Sequence, residues 1–162
     1  MRGSQKSNVL GALVLCFALA GCSTPYQGMG FAGGVEAQQM SADTYRIVAR
    51  GNGYTSPTTI QDYALMKAAE TTKAAGGTHF LIVSANDASR SNLVSTPGQA
   101  QTSVYGNTAY TTFWPGSTYQ VIRPGQDTYI RVITVPPGTQ PPQGANSADE
   151  IIQYIGSRIH PT

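Results

Sequence analysis

The chain has 162 residues, ten Lys or Arg against eight Asp or Glu, and a formal net charge of +2. With two cysteines and no run of basic side chains it excludes a disulfide-stapled scaffold, a thiolate metal site and a nucleic-acid partner. Its length suffices for one domain of roughly 140 residues after a leader, and is short for two.

Residues 1–8 carry Arg2 and Lys6 and no acid, and 9–20 (VLGALVLCFALA) are apolar, ending in small side chains. That order is the charged, hydrophobic and cleavage-site order of a secretory signal. The run falls short of the about 20 residues that a membrane-spanning helix needs. Leu19-Ala20-Gly21-Cys22 resembles a bacterial lipobox, so residues 1–21 are expected to be a lipoprotein signal peptide cleaved before Cys22. The resemblance implies a diacylglyceryl thioether on the Cys22 sulfur and usually a third acyl chain on the new amine. One chain binds a bilayer only reversibly, at roughly 10⁴ M⁻¹, whereas two or three hold it stably. Ser23 in place of Asp implies sorting to the outer membrane, facing the periplasm. Cleavage also takes Arg2, Lys6 and Cys16 away, leaving eight basic against eight acidic side chains and Cys22 as the sole cysteine, consumed by lipid.

Residues 22–42 are rich in Gly, Ser, Gln and Ala and read as a flexible lipidated tether. Gly28, Gly30, Gly33 and Gly34 lack the strand and the GK[ST] that a phosphate loop requires. A single α+β domain is expected over 43–160. Residues 44–50 (TYRIVAR) alternate as a half-buried strand that stops at Gly51-Asn52-Gly53. Thr58 or Thr59 offers a helix N-cap, Gln61 the capping box, and Gly76-Gly77 the stop. On that helix Ile60, Ala64, Leu65, Ala68, Thr72 and Ala75 share one face, small enough for close approach to a sheet. Residues 79–84 (HFLIVS) form the next, strongly apolar strand.

Residues 86–116 are polar and dotted with Val104, Tyr105, Tyr110, Phe113 and Trp114, either a mobile loop or a hairpin turning at Gly106-Asn107. Tyr105, Tyr110 and Trp114 are a candidate interaction surface for a glycan or protein partner if exposed, and covers of the sheet if not. Residues 117–123 and 128–135 read as an antiparallel hairpin. Ser147 and Glu150 repeat the capping-box spacing before an amphipathic helix carrying Ile151, Ile152, Tyr154, Ile155 and Ile159. The expected fold is α+β: strand, helix, strand, hairpin and C-terminal helix, a small sheet with its helices on one face.

Tyr45-Arg46-Ile47, Gly51-Asn52-Gly53, the helix Tyr63-Ala64-Leu65-Met66-Lys67-Ala68-Ala69-Glu70 and Gly76-Gly77-Thr78-His79-Phe80 resemble a family of small proteobacterial outer-membrane lipoproteins of uncharacterised function. The resemblance covers about residues 45–84, with the lipobox and the last helix more loosely, and implies a fold and a location without catalytic residues.

His79 and His160 have no second ligand at metal-binding spacing, and no cofactor or metal is implied. Glu70 is the acid to weigh, within helical reach of Lys67 and Lys73. It serves as an ion pair on a solvated helix face, as a structural bond to backbone or Arg46, or as the acid of a small enzyme acting on cell-wall glycan or peptide. Arg46 and Arg50 share a parity, fit to fork a carboxylate or a lipid headgroup, or to guard a sheet edge. The expected role is a non-enzymatic envelope binding or structural module, held to membrane lipid and facing another envelope protein or the cell wall.

Overall fold

The computed structural model describes residues 22–159. The expected signal peptide, residues 1–21, and His160 lie outside the described residues.

Among the described residues nine strands and two helices follow one another: β1 (Gly34–Gln39), β2 (Thr44–Arg50), α1 (Pro57–Ala74), β3 (His79–Asp87), β4 (Arg90–Ser95), β5 (Gln99–Tyr105), β6 (Thr108–Trp114), β7 (Thr118–Arg123), β8 (Gly125–Ile133), β9 (Ala145–Ser147) and α2 (Ala148–Ile159). They form two compact units, a body of residues up to Ser89 and from Arg123 onward, and an arm, Arg90–Ile122. The α+β class holds.

The body is a five-stranded sheet in the order β1-β2-β8-β3-β9, every neighbouring pair antiparallel. Alternation along β2 turns Tyr45, Ile47 and Ala49 to the helix side, where Val35, Phe80 and Ile130 join them in the core. Arg46, Val48 and Arg50 take the other side. Helix α1 closes the core with Ile60, Tyr63, Ala64, Ala68 and Ala69. Helix α2 runs antiparallel beside it, pairing Arg158 with Asp62 at 2.6 Å and Asp149 with Lys73 at 2.8 Å. It adds Ala148, Ile151, Ile152 and Ile159 to the same core.

The α1 boundaries follow capping chemistry. Ser56, not Thr58 or Thr59, is the N-cap: its hydroxyl accepts from the Thr59 amide at 3.0 Å, and Pro57 starts the helix. Proline suits that first position because its missing N–H has no helical partner to lose. At the other end Gly76 takes φ +78°, and the amides of Gly76 and Gly77 close on Lys73 and Thr72 carbonyls, the expected glycine stop. The buried face is wider than expected, because α2 covers a second flank: Tyr63, Met66 and Ala69 are buried too, and Ala75 is exposed. On α2, Tyr154 points to solvent rather than into the core.

Two expectations are corrected. Residues 22–42 are not a tether. β1 is the edge strand of the sheet, and Thr24, fully buried, donates its amide to the Thr55 hydroxyl at 2.9 Å and its hydroxyl to the Ala32 carbonyl at 2.8 Å. It also accepts the Asn52 amide at 3.0 Å on its hydroxyl and the Tyr63 phenol at 2.9 Å on its carbonyl. The glycines read as flexibility are close approaches: Gly33 and Gly34 have φ of +101° and +136°, and a Cβ on Gly33 would strike the Arg50 carbonyl. Nor do 117–123 and 128–135 pair with each other. β7 pairs β4 in the arm, whereas β8 inserts between β2 and β3. Pro124 between them interrupts the ladder, since it has no N–H to donate. β3 also runs past 84 to Asp87 through a bulge between Ile82 and Ser84, beyond which it is exposed.

Candidate functional site

The arm consists of two short ribbons, β4 with β7 and β5 with β6. Of the two readings for residues 86–116, the hairpin is present: Tyr105 faces Thr108, and Gly106-Asn107 form the two-residue turn. Gly106 has φ +63° and Asn107 does not share the positive sign, the pattern of a type II′ turn. Antiparallel register places Ala100, Thr102, Val104, Ala109, Thr111 and Phe113 on one face and Tyr105, Tyr110 and Trp114 on the other. The three candidate aromatics are exposed, Tyr105 by 73%, Tyr110 by 61% and Trp114 by 50%, and the rings of Tyr105 and Tyr110 lie 6.5 Å apart. Residues 91–122 contain no Asp, Glu, Lys, Arg or His. Edge strands of soluble proteins are usually guarded by charge, and this arm has none between Arg90 and Arg123.

Glu70 sits on α1 facing the N-terminal segment. Its carboxylate accepts the Tyr26 phenol at 2.8 Å and pairs with Lys67 at 3.3 Å. Burial, and then the Glu70 carboxylate, hold the Tyr26 phenol well above the ordinary tyrosine range. The Tyr26 ring meets Tyr63 edge-on at 5.3 Å. The expected ion pair with Lys67 is present. The bond to Arg46 is not, because α1 and Arg46 lie on opposite faces of the sheet. An open depression of about 520 Å³ beside Glu70 is lined by Met29, Val35, Glu36, Lys67 and Thr71 among others.

Arg46 and Arg50 converge on a carboxylate of the chain itself. β2 is interior, flanked by β1 and β8, so the two guanidiniums guard no edge. They grip Asp127 of β8, Arg46 at 2.5 Å and Arg50 at 2.6 Å, from either side of Val48, the residue opposite it. Burial pushes the Asp127 carboxyl up, but the two guanidiniums outweigh it and hold it below the usual carboxylate range. Asp127 was silent in the sequence. It falls in the gap between the expected strands 117–123 and 128–135, where nothing in the local pattern marks it.

His79 makes a 2.9 Å hydrogen bond with the Thr78 hydroxyl. Among the described residues no group of three or more His, Cys, Asp or Glu side chains converges as a metal site would require, and no helix is long and apolar enough to cross a membrane. Cys22 is exposed, and its carbonyl accepts the Asn52 side-chain amide at 2.9 Å. No protein-family model, curated protein or solved structure matches the chain.

Proposed function

We propose that the protein is a lipid-anchored, non-enzymatic module of the bacterial envelope, fixed through Cys22 to the outer membrane on its periplasmic side, with the arm as its contact element. The lipobox and the likeness to small proteobacterial lipoproteins support the anchor. The observation that carries the contact role is the arm's exposed, charge-free aromatic surface. Tyr105, Tyr110 and Trp114 share one face of the β5–β6 ribbon with polar, uncharged neighbours, and tyrosine and tryptophan provide large contact area at low entropic cost. The partner is another envelope protein or the cell wall. Binding through residues 91–122, which carry no charge, offers no ion pair for salt to screen.

Crosslinking in intact membranes tests this. A photoreactive side chain at Tyr105 or Tyr110 is expected to give a discrete adduct that persists in high salt, whereas one at Tyr154 on α2 gives none. Adducts from the arm no more specific than those from Tyr154 overturn the contact role. Cys22→Ala is expected to abolish acylation and maturation.

The competing reading is an enzyme acting on cell-wall glycan or peptide, with Glu70 as its acid. It is favoured by one observation, the depression that Glu36 and Glu70 share. Glu70→Gln separates the two: turnover of cell-wall fragments that disappears with stability unchanged establishes the enzyme.

A further inference from the structure

Four strand termini lie at one end of the body sheet: the start of β1 at Gly34, the end of β2 at Arg50, the start of β8 at Gly125 and the end of β3 at Asp87. The N-terminal segment is pinned at this end. Thr24 is buried with four hydrogen bonds to Ala32, Asn52, Thr55 and Tyr63, and Asn52 also holds the Cys22 carbonyl. Only Ser23 separates Cys22 from Thr24, and one extended residue spans at most about 3.6 Å. Whatever is attached to Cys22 therefore leaves directly from the protein surface.

Two loops flank that point. The Gly30–Gly33 turn, closed by reciprocal backbone hydrogen bonds of 3.0 and 3.1 Å, carries Phe31 fully exposed. The turn after β2 carries Tyr54, 79% exposed, whose amide bonds the Asn52 side chain at 3.0 Å. Residues 22–35 and 51–61, which build both loops, contain no charged side chain. Exposed aromatic rings on a neutral surface are costly against water and suited to a headgroup boundary, where tyrosine places its ring in the apolar layer and its hydroxyl among the headgroups. The two loops themselves bring no charge to be desolvated; Arg50, paired with Asp127, and the exposed Asp87 lie at the same end of the sheet but outside them.

We infer that this end of the body is a lipid-contacting face: the chains on Cys22 draw it onto the bilayer, and Phe31 and Tyr54 enter the headgroup boundary beside them. The inference rests on the lipidation of Cys22 proposed above. It replaces a domain free to tumble on a leash with one that stands on the membrane in a single orientation.

The protein provides its own ruler. Met40 is exposed at the opposite end of β1, six residues and about 20 Å from Gly34. In full-length protein carrying Trp114→Phe, single tryptophans are introduced as Phe31→Trp, Tyr54→Trp or Met40→Trp, all at exposed positions. Each mature protein is weighed by mass spectrometry and reconstituted in phosphatidylethanolamine–phosphatidylglycerol vesicles with brominated acyl chains. Tryptophan at 31 and 54 is expected to shift its emission to the blue and to be quenched at least about twofold more than at 40. Equal quenching at 31, 54 and 40 in protein that carries the acyl mass overturns this inference and leaves the anchor standing. Mature protein without acyl mass overturns the anchor, and this inference with it.

Discussion

The Tyr26 phenol donates a 2.8 Å hydrogen bond to the Glu70 carboxylate across 44 residues of sequence. It ties the segment that follows Cys22 to the main helix, and it gives Glu70 a structural task. Tyr26→Phe is expected to cost about 1.5–3 kcal/mol, the range for a hydrogen bond to a charged acceptor. Glu70→Gln keeps an acceptor for the phenol and gives up only the half-exposed pair with Lys67, a loss of about 0–1 kcal/mol. Urea denaturation of the two variants checks the order; a Glu70→Gln loss as large as that of Tyr26→Phe contradicts it.

Asp127 predicts a specific acid sensitivity. Its carboxyl is depressed in the folded protein by Arg46 and Arg50, so its stabilisation is complete above the unfolded carboxylate pKa of about 3.9 and is lost as pH falls through the lower folded value. Denaturation midpoints of the wild type should therefore decline below about pH 4, and those of Asp127→Asn should decline less. At neutral pH the same variant leaves two facing guanidiniums without their shared anion and is expected to cost about 2–3 kcal/mol.

Thr24→Val keeps the shape of a buried side chain and removes its oxygen. The Asn52 amide loses an acceptor and the Ala32 carbonyl a donor, so a loss of about 2–3 kcal/mol is expected. Limited proteolysis should then cut within residues 25–33, which the wild type protects. Resistance equal to the wild type would show that the segment is held by other contacts.

Ala68 is fully buried where α1 crosses the sheet. Ala68→Leu should cost about 1–3 kcal/mol through overpacking, while Ala74→Leu, on the exposed end of the same helix, stays within about 0.5 kcal/mol. Thermal unfolding of the pair provides the comparison.

What was legible in the chain is what local chemistry determines. β2 announces itself because alternate residues meet opposite environments, the α1 stop because a left-handed residue there must be glycine, and the Gly106 turn because a two-residue hairpin demands positive φ. β1 was hidden: it is an edge strand with Val35 as its one buried large side chain, so its GVEAQQ sequence shows no alternation. Thr24 was hidden for a different reason, since it acts through four hydrogen bonds and hydropathy does not register them. The partner of β8 is a non-local choice. Two β-rich runs around a Pro-Gly look like a hairpin, and nothing short of the assembled sheet shows that the gap between β2 and β3 receives the second run. Of the candidate contact residues, Tyr105, Tyr110 and Trp114 were legible as aromatics in a polar stretch, but their exposure depends on what the rest of the chain leaves uncovered.

The arm departs from the body after Ser89 and returns at Pro124, whose carbonyl accepts the Gly51 amide at 2.8 Å, one residue before the asparagine that holds Cys22. Its root is thus a fixed point with respect to Cys22, and contact becomes a question of reach. From Arg90 to Tyr105 the chain spans at most about 55 Å. In the proposed contact role a partner must bring its surface inside that radius, and lengthening the ribbons would extend the radius without changing Cys22.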